Sequence, residues 1–109
     1  MTGETTMTDE TLGASIREAL LEIEDPEVGL NILDMGLVYD VRCNAESGVV
    51  EVLMTLTTPS CPAGEMIVDG VNRRLSRVDG VTQVLVDLTF DPPWTPESIS
   101  DDGRAQLGW

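Results

Sequence analysis

Residues 49–62 read Val49-Val50-Glu51-Val52-Leu53-Met54-Thr55-Leu56-Thr57-Thr58-Pro59-Ser60-Cys61-Pro62. From Val49 to Thr57 the pattern alternates, with Val50, Val52, Met54 and Leu56 facing one way, as a half-buried strand requires. Two hydroxyl residues and two prolines then break the ladder. Pro62 opens a helical pattern, at the position where a missing N–H costs nothing. Cys61 therefore falls at the helix entrance, in the N-cap seat. Ser, Thr, Asp or Asn usually hold that seat, because their oxygens accept a backbone N–H. A Cys there gives up a good cap and gains the positive end of the helix dipole, which favours the thiolate.

The flanks extend the reading. Upstream, Leu37 to Cys43 alternate, with Tyr39, Val41 and Cys43 on one face and Asp40 and Arg42 on the other. Asn44-Ala45-Glu46-Ser47-Gly48 is a turn, so the two runs form an antiparallel hairpin. Downstream, Pro62 to Val78 read as a helix with Met66, Ile67, Val71, Leu75 and Val78 as its buried stripe. Asp79-Gly80 closes it with a glycine stop. Val81 to Phe90 form a third strand, with Val84, Val86, Leu88 and Phe90 on one face.

At the amino end, Thr8 or Asp9 caps a first helix whose apolar face is Leu12, Ile16, Ala19, Leu20 and Ile23. Asp25-Pro26 stops it. Residues 25–36 have no clean period and read as an ordered loop. Asp91-Pro92-Pro93 cannot continue a ladder. Thr95-Pro96-Glu97 and Ser100-Asp101-Asp102 then look like starts of short helical turns. Residues 1–8 are a disordered lead and residues 9–109 one domain. The order is helix–strand–strand–helix–strand, an α+β two-layer sandwich with its helices on one sheet face.

Composition narrows the chemistry. The chain has 109 residues, is 41% hydrophobic, and carries 20 acids against 6 Arg with no Lys and no His, for a net charge of −14. Such a chain repels nucleic acid and anionic membranes. Without His, the usual general base and the commonest metal ligand are missing. Without Lys, a P-loop lysine or a Schiff base is excluded. The first residues do not read as a signal peptide, and no run is long enough to span a bilayer. Its two Cys read as free thiols, and the expected location is the cytoplasm.

Cys61 is the main candidate site residue. A free Cys is ordinarily a small buried hydrophobe, but this one lies in a hydroxyl-rich loop. Thr57, Thr58 and Ser60 could hydrogen-bond a thiolate or an oxyanion, or could simply shape the turn. Gly64 would let a ligand approach the backbone. Cys43, in phase with Tyr39 and Val41, reads as core packing. Asp25, Glu27 and Asp34 could face Cys61 and supply oxygen ligands or a proton acceptor; capping is the plainer role for each. Trp94 seals a core edge, and would roof Cys61 if the second and third strands run parallel. One Cys cannot hold a cluster alone, because stable sites normally take four protein ligands. Transient ligation by Cys61, across a homodimer or with a client's own Cys, suits the shortage better.

Asp25-Pro26-Glu27, Asp34-Met35-Gly36-Leu37-Val38, the 57–62 loop and Phe90-Asp91-Pro92-Pro93-Trp94-Thr95-Pro96 together carry a family resemblance. From about Leu12 onward the chain resembles the small metal–sulfur cluster assembly factors, once known only as a domain of unknown function. These include SufT-like proteins, the eukaryotic cytosolic iron–sulfur targeting adaptor and the PaaD accessory protein of phenylacetate degradation. The resemblance implies an iron–sulfur-assembly-like fold and a role in maturing or delivering iron–sulfur clusters. The family's reactive cysteine falls on Cys61, its loop threonine on Thr57 or Thr58, and its acidic residues on Asp25, Glu27 and Asp34. The extra C-terminal cysteines expected of PaaD are absent, which favours a stand-alone SufT-like factor. The expected function is a non-enzymatic maturation factor acting through Cys61, with a transient iron–sulfur cluster or iron as cargo. Assembly proteins and client apo-proteins are its expected partners. The rivals are an acidic adaptor that does not need Cys61, a PaaD-like accessory role included, and a small thiol-dependent enzyme.

Overall fold

The computed structural model describes residues 8–59 and 63–108. Its elements, in chain order, are α1 (Asp9–Leu20), β1 (Glu24–Asp25), β2 (Leu30–Asn31), β3 (Val38–Asn44), β4 (Val49–Met54), α2 (Gly64–Leu75) and β5 (Gln83–Leu88). A 3-10 turn (Pro96–Ser98) and α3 (Asp101–Leu107) close the chain. The α+β order expected from the sequence is the order found.

Three strands form the main sheet in the order β3-β4-β5. β3 and β4 are the expected hairpin, with Cys43 opposite Val50 and a register shift between Val38 and Asp40. β4 and β5 are parallel, with Val50 opposite Val84 and Val52 opposite Val86. A parallel pair needs a long crossover, and α2 supplies it. The inward row of β4, Val50, Val52 and Met54, is fully buried. Against it pack Leu12, Ile16, Ala19 and Leu20 of α1 and Ile67, Val71 and Leu75 of α2.

Both helix starts are informative. Thr8 caps α1, its hydroxyl accepting from Thr11 N–H at 3.0 Å. The expected lead otherwise falls on residues 1–7, outside the described residues. The cap position of α2 is held by Ala63, not Cys61, and no side chain caps it. The stripe of α2 is also narrower than expected. Ile67, Val71 and Leu75 are spaced by four and buried, whereas Met66 lies about 100° round the helix from Ile67 and is 66% exposed.

Two further expectations are corrected. The 25–36 segment is not only loop: β1 and β2 pair antiparallel, Glu24 with Asn31 and Asp25 with Leu30. Two-residue strands are too short to show an alternating pattern. β5 ends at Leu88, so Phe90 lies beyond the ladder. Leu88 and Phe90 are 46% and 38% exposed, because β5 is the edge of the sheet.

The carboxyl-terminal segment is strapped back across the start of β3. Tyr39 Oη donates to Pro92 O at 2.7 Å, Trp94 Nε1 to Met35 O at 2.6 Å, and Ser100 N to Asp34 O at 2.8 Å. Gly36 makes the last approach possible. Its φ is +78°, and a Cβ there would run into the Ser98 backbone. Gly29 has nearly the same φ, +79°, but opens onto empty space. Gly29→Ala should therefore cost only the left-handed backbone penalty, about 1 kcal/mol. Gly36→Ala should cost at least about twice that, since the strap must also shift. Urea unfolding midpoints of the two variants check the difference.

Candidate functional site

Strand direction brings the segments that carry Thr57, Thr58, Asp34 and Trp94 to one end of the main sheet. β4 and β5 run parallel, so the 55–59 segment and the 89–94 segment leave the sheet together. β3 runs the other way, so its entry from Asp34–Leu37 lies at that same end. Hydrogen bonds tie the three: Thr55 N donates to Leu37 O at 2.8 Å, and Thr89 N to Met54 O at 2.9 Å. Trp94 reaches Met35 from the third segment. The second and third strands of the sheet are parallel, and Trp94 packs at the edge of the core; its expected place over Cys61 lies outside the described residues. The carboxyl ends of parallel strands are where open α/β sheets commonly place ligands.

On the loop after β4, Thr57 is half-buried and Thr58 and Pro59 are exposed. Ser60 and Cys61 lie outside the described residues. Thr55, which sequence reading passed over, is fully buried, and its hydroxyl donates to Leu56 O at 3.4 Å. A threonine in phase with the outward residues of a strand gives no pattern signal of burial. Gly64 does not open the backbone to a ligand. It is buried, and a Cβ there would stand 2.6 Å from Leu56 Cδ1, so its smallness serves helix packing.

The acids divide by role. Asp25 is buried, and its Oδ1 accepts from Glu27 N at 2.9 Å while its carbonyl accepts from Gly29 N at 2.7 Å. It builds the turn between β1 and β2, and Glu27 is exposed on that turn. Asp34 is half-buried, with Oδ2 accepting from Asn31 Nδ2 at 2.7 Å and Oδ1 accepting from Ser100 Oγ at 2.8 Å. These two bonds hold its carboxyl below the ordinary Asp range. Ser100 Oγ in turn accepts from Gly103 N at 2.9 Å and caps α3. Asp34 thus clasps the β3 entry to the carboxyl-terminal helix. Among the described residues, no hydrogen bond joins Asp25 or Asp34 to Thr57 or Thr58, and no group of three or more Cys, Asp or Glu could hold a metal ion.

Cys43 is a free thiol, half-buried against the core as its phase requires. Its Sγ donates to Asp9 O at 3.4 Å. Burial, and then the nearby Asp9 charge, push its pKa up. It is a poor nucleophile in its resting state.

Similarity to known proteins fits this arrangement. The profile of the iron–sulfur cluster assembly protein family matches residues 14–86. The chain belongs to that family. It is 38% identical to an Fe-S protein maturation auxiliary factor of Porphyromonas gingivalis, across 100% of this chain and 99% of that one. It is 39% identical to the Fe-S protein maturation auxiliary factor SufT of Staphylococcus aureus, across 77% and 94%. Among solved structures, a domain of unknown function from Bacillus anthracis superposes with a TM-score of 0.85 at 34% identity, covering 92% and 94%. The SufT-like resemblance and the α+β fold are both borne out. The main sheet is mixed and packs under helices, and no helix among the described residues is long and apolar enough to cross a membrane.

The Asp34 clasp makes a pH prediction. A carboxylate whose folded pKa is depressed contributes stability above its unfolded value of about 3.9, and loses it as pH falls through the folded value. Asp34→Asn should therefore destabilise the protein by about 1–2 kcal/mol at neutral pH. The gap to wild type should close as pH drops below about 4. Denaturant midpoints measured across that range test both sign and window.

Proposed function

We propose that this protein is an auxiliary factor in the maturation of iron–sulfur proteins, and that Cys61 is the group that handles the cargo. Membership of the iron–sulfur cluster assembly family carries the first part. The second is supported by where β4 ends: residues 55–59, which precede Cys61 in the chain, leave the sheet at the end where the Trp94 segment and the β3 entry also meet. Thr57, Thr58 and Ser60 supply hydroxyls along that loop. Asp25 and Glu27 form the neighbouring turn. Asp34 and Trp94 act as positioning residues that keep the β3 entry and the tail in register.

In this reading Cys61 coordinates an iron of the cargo as thiolate, after giving its proton to solvent. A cysteine thiolate of the client then replaces it on that iron. The exchange is ligand for ligand, with no change in oxidation state, and a lone protein ligand keeps the complex easy to leave. The factor therefore works by ligation rather than by turnover, and holds no resident cluster within one chain. Its setting is the cytoplasm, its partners are assembly proteins and client apo-proteins, and a homodimer would let two Cys61 residues share one cargo. The acidic surface favours a second reading, an adaptor that docks partners without using Cys61.

Two measurements separate these. Cys61→Ser should fail to restore iron–sulfur enzyme activity in a deletion strain, while keeping its partners in pull-downs; full restoration would leave only the adaptor. In native protein, alkylation at neutral pH should show one fast thiol that vanishes in Cys61→Ser. The remaining Cys43 should react slowly, with a rate that rises steeply towards alkaline pH. Equal rates for the two thiols would remove the case for an activated Cys61.

A further inference from the structure

The inward face of the sheet is unevenly covered. Val50, Val52 and Met54 on β4 are fully buried, yet their register partners on β5 are not. Val84 and Val86 are only half-buried, Leu88 is largely open, and Phe90 continues the same ledge. One strand step, about 5 Å, takes this apolar row from dry to wet. On the opposite face Leu85 is exposed as well.

β5 is also an edge: among the described residues no strand lies beyond it. Gln83 N donates to Gly48 O at 3.4 Å and Thr89 N to Met54 O at 2.9 Å, so the odd-numbered residues turn their N–H towards β4. Backbone groups alternate along a strand, so Val84, Val86 and Leu88 turn theirs outward. Edge strands are normally guarded by Lys, Pro or a bulge. Gln83–Leu88 has none of these, and its one charge is Asp87.

Charge selects the occupant. On the outer face Asp40, Glu51 and Asp87 outnumber Arg42, which is itself bonded to Asp40 at 3.1 Å. A second β5 laid on this edge would set Asp87 and its acidic neighbours against the same acids, whereas a basic strand is attracted. We propose that the β5 edge receives an extended segment of a partner protein that alternates apolar and basic residues, added as a fourth strand. Its backbone pairs with Val84, Val86 and Leu88. Its apolar side chains cover the ledge that ends at Phe90, and its basic side chains pass over the outer face beside Asp87. The proposal does not rest on Cys61.

The test uses full-length protein and an end-blocked eight-residue peptide alternating Val and Lys, with amide exchange followed by NMR. The peptide should slow exchange at Val84, Val86 and Leu88 by roughly tenfold. Added salt should weaken the effect. Val86→Pro removes an outward N–H without touching a bond to β4, and should abolish the protection; Val86→Ala should retain it. Asp87→Lys, which keeps every N–H, should lose the Val/Lys peptide and gain one alternating Val and Glu. Absence of edge protection in wild type, or equal binding of the Val/Glu peptide by wild type, overturns the proposal. So does edge protection without peptide in a protein that sediments as a dimer, which would make a second copy the occupant.

Discussion

β4 and β5 run parallel, so the chain leaving Met54 must travel back along the sheet before it can pair again. α2 is that return path, and the need to cover the sheet explains why its Ile67, Val71 and Leu75 are buried. The same constraint sends the loop after β4 and the segment after β5 out at one end. β3, antiparallel to β4, enters there too. Thr57, Thr58, Asp34 and Trp94 come to that end because of strand direction, not because of any attraction between the residues themselves.

The tail then secures what strand direction assembles. Trp94 bonds the Met35 carbonyl, Tyr39 bonds the Pro92 carbonyl, and Asp34 holds Ser100. Each bond joins parts of the chain more than fifty residues apart, and the Trp94 and Asp34 bonds are partly sheltered from solvent. A half-buried carboxylate with two donors is stabilised in its charged form, which is why Asp34 titrates low. The exposed pair Arg74–Glu22, at 2.9 Å, links α2 to the end of α1, but an ion pair in water contributes little.

Sequence periodicity located α1, the hairpin, α2 and β5, because each presents three or more apolar residues at a regular spacing. It placed Met66 in the buried stripe wrongly, and it left the exposure of Leu88 undetermined. Met66 is a phase error, one residue from the true stripe. Leu88 is in phase but on an edge strand, and no pattern along one strand says whether another lies beside it. The β1–β2 pair and the burial of Thr55 left no periodic trace. The Asp34–Ser100 and Trp94–Met35 bonds are contacts between distant segments, invisible to any local reading.

The chain alone determined the fold class, the family motifs, the absence of His and Lys, and hence a chemistry limited to thiol, hydroxyl, carboxylate and Arg. Those follow from residue type and spacing, which are local properties. Tertiary structure decided what each acid does, assigning Asp25 to a turn and Asp34 to a clasp, and it gave Gly64 to helix packing. It also decided that β5 is an edge whose apolar row is only partly covered. Such roles depend on which donors and which surfaces arrive from elsewhere in the chain, and only the folded arrangement brings them.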